Sequence, residues 1–96
     1  MLVVLYCLDR PDSAELRLAN RSAHLAWAKE QTGIRMAGPM LDASGEGMLG
    51  SLFVIEAEDR AAIERLHASD PYVHAGLFER VDIHPFRWLL GTPPND

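Results

Sequence analysis

Two nearly unbroken apolar runs constrain the fold of this 96-residue chain most strongly. LVVLYCL at 2–8 is rich in β-forming residues and is followed by the breaker DRPDS, and SLFVIEA at 51–57 has a similar composition. A strand that is apolar on both sides is typical of the interior of a sheet that is covered on both faces. We therefore expect these two strands to be central in one sheet, with a layer of structure against each face.

The segment 13–33 is helical in composition, and Gly33 is a natural C-terminal stop. Its apolar residues form two stripes on nearly opposite sides, with Leu16, Ala23 and Trp27 on one and Leu18 and Leu25 on the other. Either the helix is covered on both sides, or it breaks near 20–22, where Ser22 would cap a second segment. The sequence leaves both alternatives open.

The segment IRMAGPML at 34–41 predicts a strand that ends or bends at Gly38-Pro39. Because proline has no N–H to donate to a neighbouring strand, this strand is expected at an edge of the sheet. The polar segment 42–50 that follows predicts a short mobile loop before the second central strand.

A second helix is predicted over 58–69, with Asp59 as its N-cap. The stretch SDPYVHAG follows, in which Asp70 and Pro71 have the chemistry of an N-cap and first helical position, and Gly76 ends the turn. A last strand over 77–88 and a polar tail over 91–96 complete the chain.

The predicted order is β-α-β-β-α-β, which is the ferredoxin-like pattern of the α+β class, and residues 1–96 form a single domain. The two helices can cover only one face of a four-stranded antiparallel sheet. The other face needs a cover, and a second copy of the chain is the simplest one, which predicts a homodimer built as a dimeric α/β barrel. Phe86 and Trp88 are expected at the interface between the copies.

Charge and composition exclude several functions. The net charge is −5 and the nine Lys and Arg residues are scattered, which argues against nucleic acid and anionic membrane surfaces as partners. No apolar stretch approaches the length of a membrane span, and the first residues are too short for a signal sequence. The single Cys7 lies in an apolar run and predicts a core thiol in a reducing compartment, so a cytoplasmic protein is expected.

Motifs for metal, phosphate and nucleophilic chemistry are missing from the sequence. The four histidines do not stand in a metal-binding spacing, and HExxH and CxxC are absent, so no metal site is predicted. SGEGMLG lacks the lysine and the following helix of a phosphate-binding loop, and GxSxG is absent as well.

Among the histidines, His24 is the candidate for proton transfer. On an ideal helix it lies on a polar flank with Arg17, Asn20 and Gln31, between the two apolar stripes. If Ser22 begins a new segment, the helix dipole disfavours the imidazolium, and a neutral ring can act as a general base. The alternative is a partly exposed helical histidine without a function.

The carboxylate of Asp70 could orient such a histidine and stabilise its protonated form, provided that both helices lie on one side of the sheet. The alternative is an aspartate that only caps its turn. Ser51 at a strand start could present its hydroxyl to a pocket or be an ordinary polar residue, and Tyr72 is either a packing ring or a pocket donor.

The chain resembles the YciI-like (YCII-related) family of small bacterial proteins. The resemblance rests on MLVVLYCLDRPDS at the start, RSAHLAW with His24, AGPM at 37–40, GS at 50–51 and DPYVHAGLFERVDIHPFRW at 70–88. It implies a dimeric α/β barrel and an active-site cleft with a His–Asp pair, which corresponds here to His24 and Asp70. Some relatives remove halide from chlorinated aromatic compounds by elimination, and the wider superfamily includes muconolactone isomerases and cofactor-free monooxygenases.

The resulting hypothesis is a cofactor-independent enzyme that performs elimination, such as dehydrochlorination, or isomerisation on a small cyclic or aromatic substrate. His24 would transfer the proton and Asp70 would orient it, while Ser51, Tyr72 and Gly38-Pro39 would line the pocket. A non-catalytic homodimer that binds a small ligand or serves a stress response is the alternative. A purely structural interaction module is a third hypothesis, and it predicts no enclosed pocket between helices and sheet.

Overall fold

The computed structural model describes residues 1–91, and the last five residues of the predicted tail lie outside this range. The elements along the chain are β1 (Leu2–Asp9), α1 (Ala14–Glu30), β2 (Ile34–Leu41), β3 (Met48–Glu56), α2 (Arg60–Ala68), α3 (Pro71–His74) and β4 (Phe78–Pro85). This is the predicted βαββαβ order, with α3 as a single additional turn after α2. None of these helices is long and apolar enough to cross a lipid bilayer.

The four strands form one antiparallel sheet in the order β2-β3-β1-β4. The two apolar runs are therefore the two central strands, as predicted, and in their register Leu5 is opposite Phe53 and Val3 is opposite Ile55. These four side chains are buried on the same side of the sheet, where they form the core together with Ile63 of α2. Trp27 of α1 packs against that core.

The other face of the sheet carries the alternate residues of each strand, and it is open in the single chain. Tyr6 is 42% exposed there. The ferredoxin-like fold is confirmed, whereas the second copy that would cover this face stays a prediction, as does the interface role of Phe86 and Trp88. Those two rings pack edge to face, with their centroids 6.4 Å apart.

Helix α1 is continuous, which excludes the break near 20–22. It ends at Glu30, so the predicted stop at Gly33 is wrong. Gly33 instead lies against β3, where a Cβ at this position would lie 2.5 Å from the carbonyl oxygen of Glu56. Because no break occurs at Ser22, His24 is in the middle of a helix, and the proposed effect of a helix N-terminus on its ring does not apply.

Strand β2 is an edge strand, as its proline predicts, but it does not end at Gly38-Pro39. It continues to Leu41, with its irregularities near Ile34 and Met40 rather than at the proline. Strand β3 begins at Met48, inside the predicted loop, so the connection between the two strands is shorter than expected. Pro39 is paired with Ser51 in this register, and both residues are thereby next to each other beneath α1.

Candidate active site

His24 lies on the side of α1 that faces the sheet, and only 8% of the residue is exposed. Its ring nitrogen Nδ1 is 2.8 Å from Oδ1 of Asp70, a residue 46 positions further along the chain. The contact forms because α1 packs against α3, at whose start Asp70 lies. The structure therefore brings together the two residues that were predicted as a pair.

Asp70 is the N-cap of α3, and Pro71 occupies the first helical position, as predicted. The cap is made by Oδ1, which accepts the backbone N–H of Tyr72 at 2.9 Å. The same oxygen is the one that contacts His24. The side chain is completely buried, and its second oxygen, Oδ2, has no hydrogen-bond partner among residues 1–91.

This arrangement determines which ring nitrogen of His24 carries hydrogen. Oδ1 of Asp70 accepts from a backbone amide, and a carboxylate oxygen has no hydrogen to donate, so Nδ1 of His24 is the donor. The neutral ring then has its lone pair on Nε2. That nitrogen makes no hydrogen bond with residues 1–91, and it is not fully buried. Nε2 is therefore available to accept a proton from a bound molecule.

The ring of Tyr72 holds the imidazole in place. The two rings are stacked, with centroids 4.0 Å apart and planes 12° from parallel, and Phe53 contacts His24 edge-on at 6.1 Å. Burial raises the pKa of Tyr72, while the positive charge of Arg17 opposes the increase. Tyr72 therefore keeps its hydroxyl hydrogen at neutral pH and acts both as a packing ring and as a potential donor.

A buried arginine adjoins this pair, and no role was predicted for it. Arg17 donates from Nε and Nη2 to the two carboxylate oxygens of Asp9, at 2.8 and 2.9 Å, and from Nη2 to the hydroxyl of Ser51 at 2.9 Å. Its Cζ lies 4.8 Å from the centroid of the Tyr72 ring. Burial alone would lower the pKa of Arg17, but the hydrogen bonds and the charge of Asp9 outweigh it, so the pKa is raised.

These groups surround a cavity of about 320 Å³ between α1, the edge of the sheet and α3. Its walls are formed by Arg17, Arg21, His24, Leu25, Ala28, Lys29, Ala37, Gly38, Pro39, Met48, Ser51, Phe53 and Tyr72. All the residues predicted to line a pocket are thus present, and Asp70 lies behind His24. The hypothesis of a purely structural module predicts no enclosed pocket, and the cavity observed here is partly open to solvent.

A second contact between the same two parts of the chain supports the pair. The indole Nε1 of Trp27, one helical turn after His24, donates to the hydroxyl of Ser69 at 2.8 Å. Ser69 immediately precedes Asp70, so this hydrogen bond ties α1 to the residue before the cap. The sequence indicated Trp27 only as part of an apolar stripe.

The other three histidines, His67, His74 and His84, do not line the cavity. His74 bonds the carbonyl of Ala68 through Nε2 at 2.9 Å. Within residues 1–91 no three or more His, Cys, Asp or Glu side chains are grouped closely enough to hold a metal ion. Cys7 is buried in the core, as predicted, and burial raises its pKa to about 12, with a further increase from the charge of Asp70.

The model of the YCII-related domain matches residues 1–87 of the chain. The chain belongs to the YCII-related family. Its relatives include the protein YciI of Escherichia coli O6:H1, which is 38% identical over 95 residues, with 91% of this chain and 97% of the relative covered. A Haemophilus influenzae protein described as uncharacterized is 34% identical over 95 residues, with the same shares covered.

Among solved structures, this YCII-related chain is similar to the 5-chloro-2-hydroxyhydroquinone dehydrochlorinase TftG of Burkholderia phenoliruptrix AC1100, in complex with 2,5-dihydroxybenzoquinone. The TM-score is 0.82 at 34% identity, and 95% of this chain and 96% of the dehydrochlorinase are covered. An antibiotic biosynthesis monooxygenase has a TM-score of 0.57 at 14% identity, with 94% and 100% covered, and this likeness shows the fold alone.

Proposed function

We propose that this protein is a cofactor-independent enzyme that eliminates a leaving group from, or isomerises, a small cyclic or aromatic metabolite. The observation that carries the proposal is the His24–Asp70 pair, in which Nδ1 is held at 2.8 Å and Nε2 is left free at a cavity of about 320 Å³. A related protein at 34% identity is a dehydrochlorinase, which supports the same reaction class.

In the proposed reaction Nε2 of His24 takes a proton from the substrate, and the negative charge of Asp70 stabilises the imidazolium that forms. The electron pair left on the substrate then has two outcomes. In elimination it forms a new π bond as the bond to chloride breaks, and chloride leaves with its electrons while His24 returns its proton to water. In isomerisation His24 returns the proton to a different atom of the same ring system.

The experiment compares His24→Asn with His74→Gln, using release of chloride from 5-chloro-2-hydroxyhydroquinone as the readout. General acid–base groups contribute on the order of 10²- to 10⁴-fold to rate, so His24→Asn should lose at least about 100-fold. His74→Gln should retain wild-type turnover, because that ring is exposed and outside the cavity. Equal turnover in the two variants would contradict the proposal.

The same preparations also test the alternative of a non-catalytic binding protein. That alternative predicts that the wild-type protein binds 2,5-dihydroxybenzoquinone in a calorimetric titration and yet releases no chloride from the chlorinated compound. A protein that binds the quinone and releases chloride, with release dependent on His24, agrees with the catalytic proposal instead.

We also infer that a second copy of this chain covers the open face of the sheet. The side chains on that face include Val4, Tyr6 and Leu8, which surround a shallow depression with Arg80 and Asp82. Placing a charge in the middle of this apolar strand, as in Tyr6→Asp, should convert a dimer to a monomer in light scattering. Ala61→Asp on the exposed surface of α2 is the matched control and should leave the mass unchanged. A wild-type monomer would overturn the inference.

A further inference from the structure

The charges around the cavity differ from those of the whole chain. The protein has 14 Asp and Glu residues against nine Lys and Arg. Three of those nine cations, Arg17, Arg21 and Lys29, line the cavity, and no carboxylate does. Asp9 and Asp70 are close by, but each is bonded to a side chain of the cavity wall, to Arg17 and His24 respectively. A negatively charged molecule in the cavity would therefore contact cations directly, and the side chains of the cavity wall would separate it from the carboxylates.

The floor of the cavity also has hydrogen-bond donors that the protein does not use. A guanidinium has five N–H groups, and the contacts of Arg17 with Asp9 and Ser51 engage those on Nε and Nη2. Asp9 and Ser51 use neither N–H group on Nη1, although the side chain of Tyr72 also interacts with this guanidinium through a hydrogen bond. The hydroxyl of Ser51 accepts from Arg17, and its own hydrogen makes no hydrogen bond within the same residues.

These donors are held rigidly, which distinguishes them from ordinary surface cations. Arg17 is 5% exposed and is fixed by the two-point contact with Asp9 and by the ring of Tyr72. Donors that are fixed in a partly desolvated site stabilise a negative oxygen without reorganising, so they favour the charged form of a ligand strongly. Arg21 and Lys29 are exposed, and they add attraction at longer range.

We propose that Arg17 and Ser51 form an oxyanion site that determines substrate specificity, so that the substrate is a ring compound with an ionised oxygen conjugated to the ring. This inference rests on the proposed function, because it assigns the substrate class of the same cavity. The ionised oxygen accepts hydrogen bonds from Nη1 of Arg17 and from the hydroxyl of Ser51. When His24 removes a proton, the charge that spreads through the ring is stabilised at that oxygen.

The test uses two quinones with the same ring, one with acidic hydroxyl groups and the other with those groups methylated. 2,5-Dihydroxybenzoquinone is a vinylogous carboxylic acid and is ionised at neutral pH, whereas 2,5-dimethoxybenzoquinone has the same ring and no acidic hydrogen. Calorimetric titration of the wild-type protein should give at least about tenfold tighter binding of the ionised compound, since hydrogen bonds to charged groups are stronger than neutral ones. Equal affinity for the two compounds would overturn the proposal.

Three variants show which residues cause the preference for the ionised quinone. Ser51→Ala should reduce it several-fold and leave the ion pair with Asp9 intact. The double variant Asp9→Asn with Arg17→Gln removes both charges together, avoids a lone buried charge, and should abolish the preference. Arg60→Gln takes one positive charge from the exposed surface of α2 and should not change it. The assignment is refuted if the preference is unchanged both in Ser51→Ala and in the double variant, provided that the double variant is folded.

The outcomes also separate this inference from the proposed function. His24→Asn should keep the preference for the ionised quinone while it loses turnover, because the oxyanion site does not include the imidazole. A preference in a protein that releases no chloride would refute the proposed elimination and support the oxyanion site. Turnover that depends on His24, without any preference between the two quinones, would refute the oxyanion site alone.

Discussion

Replacing Asp70 with Asn should remove one charge and leave the geometry of the site unchanged. This expectation follows from the fact that a single oxygen, Oδ1, accepts both the Nδ1 hydrogen of His24 and the backbone hydrogen of Tyr72. The carbonyl oxygen of asparagine can take that position and accept both bonds. Its amide nitrogen would then replace Oδ2, the buried atom without a partner among residues 1–91. The reverse orientation would place two N–H donors against each other.

The magnitudes follow from the loss of charge. A hydrogen bond to a charged group contributes about 1.5–3 kcal/mol and a neutral one about 1 kcal/mol, so the imidazolium loses roughly 0.5–2 kcal/mol of stabilisation. If that ion forms in the rate-limiting step, turnover falls roughly 2- to 30-fold. Asparagine caps a helix as well as aspartate does, but two buried N–H groups without an acceptor reduce the free energy of unfolding by about 1–3 kcal/mol.

Three measurements test this prediction: chloride release, urea denaturation, and long-range ¹H–¹⁵N correlation spectra that identify the ring nitrogen with hydrogen. The His24 hydrogen should stay on Nδ1 in Asp70→Asn. Asp59→Asn makes the same change at the N-cap of α2, where Oδ1 accepts from the amide of Ala62 at 2.9 Å, and it should alter neither turnover nor the tautomer. A hydrogen on Nε2, or a loss of turnover as large as in His24→Asn, would refute the one-oxygen geometry.

Two further predictions follow from the pKa shifts. Because burial raises the pKa of Cys7 to about 12, its thiol should not react with iodoacetamide at pH 8 in the folded protein and should react quickly in urea; rapid labelling of the native protein would contradict this. Burial lowers the pKa of His67 below its ordinary value of about 6.5. The unfolded chain therefore binds a proton at this residue more readily than the folded protein does. The contribution of His67 to folding stability is present above pH 6.5 and is lost as the pH falls. The stability of His67→Gln should therefore decrease less than that of the wild type on acidification from pH 7 to pH 5, and parallel decreases would refute this.

The parts of the fold that the sequence predicts are those with a local signal. The two central strands are marked by apolar residues on both faces, and the caps of α2 and α3 by Asp59 and the Asp70-Pro71 pair. The continuity of α1 has no such signal, because a second apolar stripe is compatible with a break or with burial. The helix neither breaks nor buries this stripe. Leu18 on the stripe is 72% exposed, whereas Leu25 lines the cavity.

The site was predictable only in part, because its contacts connect distant positions. Helix geometry places Arg17 and His24 on one flank, since they are two turns apart, but a charged residue on a helix usually faces solvent. Arg17 is buried against Asp9, the last residue of β1, and Ser51, which lies within β3, and only the sheet register shows that these two residues are close together. The pairing of His24 with Asp70 came from the family resemblance, and no spacing rule could supply it.

The two interpretations of Asp70, a helix cap and half of a catalytic pair, are compatible in this structure. The backbone turn that begins α3 directs Oδ1 toward the amide of Tyr72, and α1 places Nδ1 of His24 against the same atom. Serine at position 70 would satisfy the cap about equally well, since both residues are preferred N-caps. Serine has no carboxylate charge to stabilise an imidazolium, however. A site that needs only the cap should therefore tolerate Asp70→Ser, and a catalytic pair should lose turnover while the turn stays folded.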